Sequence, residues 1–122
     1  MPSILIAEDS REFAEILNAL LSEQGYTLAG IVSTGAEAVD LVRKTSPDLV
    51  LLDIRLEGPM DGIAAASEIR AFSAVPIIFM TGYSDKETLD EAMLLKPQGY
   101  LAKPFLCDQL VRAVEKALAP VT

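Results

Sequence analysis

Asp48-Leu49-Val50-Leu51-Leu52-Asp53 is an apolar run enclosed by two acids, and its reading decides the fold. The run is too short for a buried helix and carries no alternating polar positions, so it reads as a strand covered on both faces. Ser46-Pro47 before it and Gly58-Pro59 after it punctuate the chain. Runs of the same kind occur on either side: residues 3–7, 28–32, 75–80 (closed by Thr81-Gly82) and 99–102.

Helical patterns alternate with these strands. Beyond Ser10 the residues Phe13, Ile16, Leu17, Leu20 and Leu21 form one apolar stripe, and Gly25 is a C-terminal stop. Thr34-Gly35-Ala36-Glu37 fits a capping box for a helix to about Lys44, and Asp61 is placed to cap another through about Arg70. Ser84-Asp85-Lys86-Glu87 is a second capping box, opening a helix with Leu89, Ala92 and Met93 on one side. Leu110, Val111, Val114, Ala117 and Leu118 carry the last helical period, in which Cys107 is expected as a small core or helix residue. Strand and helix in strict alternation call for a parallel sheet with helices on both faces. Right-handed crossovers make a single doubly wound (βα)5 domain of flavodoxin-like strand order 2-1-3-4-5 the leading α/β topology.

Composition narrows the chemistry. The chain has 122 residues, 51% of them hydrophobic, which suits one packed domain over residues 1–122. Its net charge of −8 argues against a nucleic-acid backbone binder and against attachment to anionic lipid. There is no histidine, so Ser-His-Asp triads, Cys-His pairs and His-ligated zinc are excluded within the chain. A lone Cys107 cannot make an intrachain disulfide or a thiolate metal site. With no signal-peptide pattern and no membrane-length apolar run, a cytoplasmic location is the expectation.

In an open parallel sheet, ligands sit beyond the carboxyl ends of the strands, where strand order reverses. Here that rim receives Glu8 and Asp9 after the first strand, Asp53 after the third, Thr81 at the fourth and Lys103 at the fifth. Carboxylates crowded together repel, and oxygen-only ligands suit a hard cation, Mg2+ or Mn2+. A cation beside Asp53, the Lys103 ammonium, the Thr81 hydroxyl and backbone N–H groups would together receive a phosphoryl group.

Glu8-Asp9, the strand-end Asp53, Thr81-Gly82, Tyr100 and Lys103-Pro104-Phe105, in this order at the ends of separate strands, make the chain resemble a response-regulator receiver domain of two-component signalling. The stretch Phe79-Met80-Thr81-Gly82-Tyr83 is similar to a receiver subgroup marked by Phe-x-Thr-Gly-Tyr. The resemblance covers essentially the whole chain. It implies that Asp53 takes a phosphoryl group from a phosphohistidine on a partner histidine kinase or phosphotransfer protein. It also implies that Mg2+ is held by Glu8, Asp9, Asp53 and the backbone carbonyl of Arg55. Lys103 would pair with a phosphoryl oxygen, Thr81 would move toward it, and Tyr100 would change rotamer. Arg55 and Tyr83 would border the route of hydrolytic water, with Tyr83 shielding the phosphoryl group. The Lys103-Pro104 peptide is expected to be cis.

The resemblance further implies an output surface on the fourth helix, fifth strand and fifth helix, directed at a protein partner, with a homodimer left open. The apolar residues Leu94, Tyr100 and Leu106 are either that surface or ordinary core. Only Pro120-Val121-Thr122 follow the last helix, so no output domain is expected within residues 1–122, whether the chain is a stand-alone receiver or a piece of a longer one. Two further readings stay open. A Mg2+-dependent phosphatase of Asp-x-Asp type would need an acid where Arg55 stands. A receiver-shaped scaffold that takes no phosphate is the other. A flavin or nucleotide binder is disfavoured by the acidic loop after the first strand, which lacks a glycine-rich cradle.

Overall fold

The computed structural model describes residues 2–82 and 86–119. Tyr83, the capping box expected at Ser84-Asp85-Lys86-Glu87 and the Leu89 side chain lie outside the described residues. The chain runs β1(Ser3–Ala7), α1(Arg11–Glu23), β2(Thr27–Val32), α2(Gly35–Thr45), β3(Leu49–Asp53), α3(Gly62–Arg70), β4(Ile77–Gly82), α4(Lys86–Met93), β5(Gly99–Lys103) and α5(Cys107–Leu118). All pairings are parallel, in the order β2-β1-β3-β4-β5. This is the doubly wound sheet expected from the alternation of strand and helix.

Each face of the sheet has its own core, because side chains alternate along a strand. Leu5, Ala7, Val50, Leu52, Ile77 and Phe79 point to one face and pack with α2 and α3. Ile4, Ile6, Leu49, Leu51, Ile78 and Met80 point to the other, against α1 and α5. Every residue of the central strand β3 is buried, whereas the edge strands β2 and β5 are only partly covered.

Local chemistry sets the helix ends. Ser10, Thr34 and Asp61 each accept a hydrogen bond from the backbone N–H three residues on, capping α1, α2 and α3. Gly25, with φ +90°, follows α1 as the expected stop. Asp61 Oδ1 accepts from Ala64 N at 2.8 Å, so Asp61 is a cap. Asp61→Ala is expected to destabilise the domain by about 1 kcal/mol, read as a lower urea midpoint at unchanged slope.

Three expectations need correction. Ile16 is 52% exposed, because the buried stripe of α1 is Ala14, Leu17 and Leu21. Ala14 shifts the centre of that stripe, leaving Ile16 about 130° away at 3.6 residues per turn. β4 begins at Ile77, not Val75: Pro76 has no N–H for the ladder, although its carbonyl accepts from Val50 N at 2.9 Å. β4 also runs through Thr81 and Gly82, which pair with Ala102 and Lys103 of β5. Of the two alternatives for Cys107, core or helix residue, the structure shows the second: it is exposed in the first turn of α5. Leu94, Tyr100 and Leu106 are exposed, which settles them as surface.

Candidate functional site

Three adjacent strands end on the same rim. β1 delivers Glu8, β3 delivers Asp53, and β4 delivers Thr81, each no more than 5% exposed. These are the buried polar side chains among the described residues. Lys103, the last residue of the edge strand β5, reaches across this rim over a cis Lys103-Pro104 peptide.

Each side chain is held by identifiable contacts. Glu8 N donates to Val32 O at 2.9 Å, tying the end of β1 to β2. Glu8 Oε2 accepts from Ser10 N at 2.9 Å, while the Ser10 hydroxyl caps α1 through Phe13 N at 3.3 Å. Because Ser10 serves as the cap, Asp9 is released from that task and lies exposed at the site mouth. Asp53 Oδ1 accepts from Arg55 N at 2.9 Å, which turns the carboxylate toward the rim.

Lys103 Nζ donates to Glu8 Oε1 at 2.5 Å and to Asp53 Oδ2 at 2.7 Å. Both carboxylates are almost fully buried, and the ammonium supplies them with positive charge. That charge does not balance the site. Burial pushes the Glu8 carboxyl up to about 7; the Lys103 and Ser10 hydrogen bonds oppose this, and Asp9 and Asp53 add to it. For Lys103, burial disfavours the charged form, but the bonds and charges of Asp53 and Glu8 outweigh it and hold the ammonium above its usual range.

The donor set suits a hard divalent cation. One carboxylate oxygen each from Glu8, Asp9 and Asp53 lie within 4.8 Å of one another, with no nitrogen or sulfur donor among them. A cation there would offset the burial, and the lesser push of Asp9 and Asp53, that together raise Glu8. Thr81 is on the same rim, with its hydroxyl donating to Gly82 O at 3.0 Å. Tyr100, on β5, is 47% exposed.

Sequence reasoning missed three contributors. It assigned Lys103 to a bound phosphoryl group and did not foresee its bond to Glu8, 95 positions away. It placed Phe13 in the α1 stripe, whereas the ring also faces Lys103, with its centroid 4.8 Å from Nζ. It passed over Gly62, whose N–H donates to Ile54 O at 2.7 Å directly behind Asp53. A glycine following a helix cap was the one visible signal for this contact.

Comparison with known proteins agrees with this geometry. Residues 4–115 match the family model described as the response regulator receiver domain. The transcriptional regulatory protein ZraR of Escherichia coli (strain K12) is 43% identical over 117 residues, covering 95% of this chain and 26% of that protein. The transcriptional regulatory protein PdtaR of Mycobacterium tuberculosis is 37% identical over 116 residues, covering 95% of this chain and 56% of that one. The chain thus spans about a quarter of the first and about half of the second. Among solved structures, the signal receiver domain of a modulated diguanylate cyclase from Desulfovibrio desulfuricans G20 superposes with a TM-score of 0.89 at 41% identity, covering 97% of this chain and 94% of that chain. A putative response regulator from Chloroflexus aurantiacus gives 0.89 at 30% identity, with 98% of each chain covered. With its strand order, its rim of acids and its ordered matches over nearly the full length, the chain belongs to the response regulator receiver domains of two-component signalling.

Proposed function

We propose that this receiver accepts a phosphoryl group on Asp53 from a phosphohistidine of a partner histidine kinase or phosphotransfer protein. The observation that carries the reading is the Asp53 carboxylate at the end of β3, buried, oriented by Arg55 N and flanked by Lys103 Nζ at 2.7 Å and by two further acids. An Asp53 oxygen attacks phosphorus, the P–N bond breaks, and the imidazole leaves on the partner. Such transfer needs positioning and charge neutralisation more than covalent machinery.

Glu8, Asp9, Asp53 and the Arg55 carbonyl are the proposed Mg2+ ligands, with Mn2+ as a substitute; the bound cation supplies charge neutralisation of the phosphoryl oxygens. Lys103 takes one phosphoryl oxygen, exchanging a carboxylate contact for it. The Thr81 hydroxyl turns from Gly82 O toward the phosphoryl group, and Tyr100 follows by a rotamer change. Tyr83 and Arg55 are proposed to flank the water route and set the lifetime of the acyl phosphate.

The signal is proposed to leave through α4, β5 and α5, directed at a protein partner rather than nucleic acid. Met93, Leu94, Tyr100 and Leu106 already expose apolar surface there, at 40%, 82%, 47% and 68%. No described helix is long and apolar enough to cross a membrane. A cytoplasmic site of action is part of the proposal.

Metal removal tests the chemistry. With acetyl phosphate and Mg2+ the protein is expected to gain one phosphoryl group per chain, and excess chelator is expected to reduce this to background. Uptake that persists unchanged in chelator contradicts the metal assignment. Continuous phosphate release over many turnovers would favour a phosphatase instead.

A further inference from the structure

The Lys103 ammonium is bracketed on a side that the phosphotransfer scheme leaves unexplained. Two of its three N–H donors are directed at Glu8 and Asp53. The Phe13 ring is presented to the same ammonium, with Nζ 4.8 Å from the ring centroid. Phe13 is fixed in turn by Phe105, whose ring meets it edge to face with centroids 5.8 Å apart and planes at 68°. The two rings come from α1 and from the segment between β5 and α5, and it is the Phe13 ring that meets the lysine.

A ring face attracts a cation without offering it a competing oxygen. When a phosphoryl oxygen replaces a carboxylate as partner, the hydrogen bonds of Lys103 change but the ring contact need not. An aliphatic residue at position 13 would fill the same space in the α1 stripe without that attraction.

We infer that Phe13 is a positioning residue for phosphoryl transfer: its ring, set by the T-shaped contact with Phe105, holds the Lys103 ammonium over the Asp53 carboxylate. The inference rests on the proposed role of Asp53 and Lys103. It assigns to α1 a part in the reaction beyond packing.

The test compares Phe13→Leu, Phe13→Tyr and wild type in the full chain. Initial phosphorylation rates are measured with acetyl phosphate and Mg2+, and thermal midpoints are taken in parallel. Phe13→Leu is expected to slow uptake by about three- to tenfold, and Phe13→Tyr, which keeps the ring face, to restore most of the rate. A packing role alone would make the rate follow the thermal midpoint, not the presence of a ring. An NMR measurement supplies a signature independent of activity. The Lys103 ε-methylene protons should lie upfield in wild type and Phe13→Tyr, and move downfield in Phe13→Leu. Equal rates in wild type and Phe13→Leu overturn the inference, as does an unmoved ε-methylene signal. Should wild type take up no phosphate at all, the Asp53 reading fails, and the ε-methylene signal alone then decides whether Phe13 holds the lysine.

Discussion

Replacing Lys103 by methionine is expected to slow phosphorylation of Asp53 by about a hundredfold, the scale of losing one preorganised donor to a developing anion, while strengthening Mg2+ binding. The two effects have opposite signs because the ammonium has two relationships to the site. Toward a phosphoryl group it is a donor and a counter-charge at 2.7 Å from the accepting carboxylate. Toward a divalent cation it is a competitor, since it already bonds Glu8 and Asp53, two of the three clustered acids. Methionine keeps the apolar stem and removes the charge, so both carboxylates become available and the repulsion of one cation by another disappears. Titration of Mg2+ by isothermal calorimetry beside the phosphorylation rate checks both signs. Weaker Mg2+ binding in Lys103→Met would show that the lysine organises the acids instead of competing for them.

Gly62→Ala is expected to cost about 3 kcal/mol of stability, the upper end of ordinary overpacking. For a domain of this size that lowers the thermal midpoint by about 12 °C. A Cβ at position 62 would stand 2.0 Å from Asp53 O and 2.7 Å from Ile54 Cα, and both neighbours are backbone, which cannot rotate away. The same contact lets Gly62 N reach Ile54 O at 2.7 Å and closes the segment from β3 to α3 behind the carboxylate. The substitution therefore acts on the site as well as on the fold: if the loop yields, Asp53 turns with it, and phosphorylation falls even where the protein remains folded. Thermal denaturation followed by circular dichroism gives the first quantity. A midpoint within about 2 °C of wild type, less than the shift for 1 kcal/mol, would mean that the loop accommodates the methyl group freely.

The fold was legible because its central strands are unmixed. Val50 to Leu52 and Ile77 to Met80 are apolar on both faces, which a covered parallel strand requires and an exposed one does not tolerate. Crossover handedness then limited the strand orders, with 2-1-3-4-5 the leading one, and that order brings Glu8, Asp53, Thr81 and Lys103 to one rim. Finer detail depended on neighbours that a sequence does not reveal. Ile16 fits the α1 period as well as Leu17 does, and only the position of the sheet makes one exposed and the other buried. The start of β4 turned on Pro76, which has no N–H for the ladder and meets β3 through its carbonyl. Phe13 reads as part of the α1 stripe and Phe105 as part of the Lys103-Pro104-Phe105 stretch, and the contacts of Phe13 with the lysine and with Phe105 emerge only when α1 lies beside the end of β5. The bond from Lys103 to Glu8 was hidden for the same reason, as a contact between the two ends of the chain.

The central claim, that Asp53 is the phosphoacceptor, is tested most directly by intact mass spectrometry after incubation with acetyl phosphate and Mg2+. Asparagine at position 53 keeps the size of the side chain and removes the anionic nucleophile while leaving Glu8, Asp9 and Lys103 in place. Wild type is expected to gain the mass of one phosphoryl group, and Asp53→Asn none. A phosphorylated Asp53→Asn protein, or a wild type that stays unmodified under conditions that load other receivers, would contradict the account.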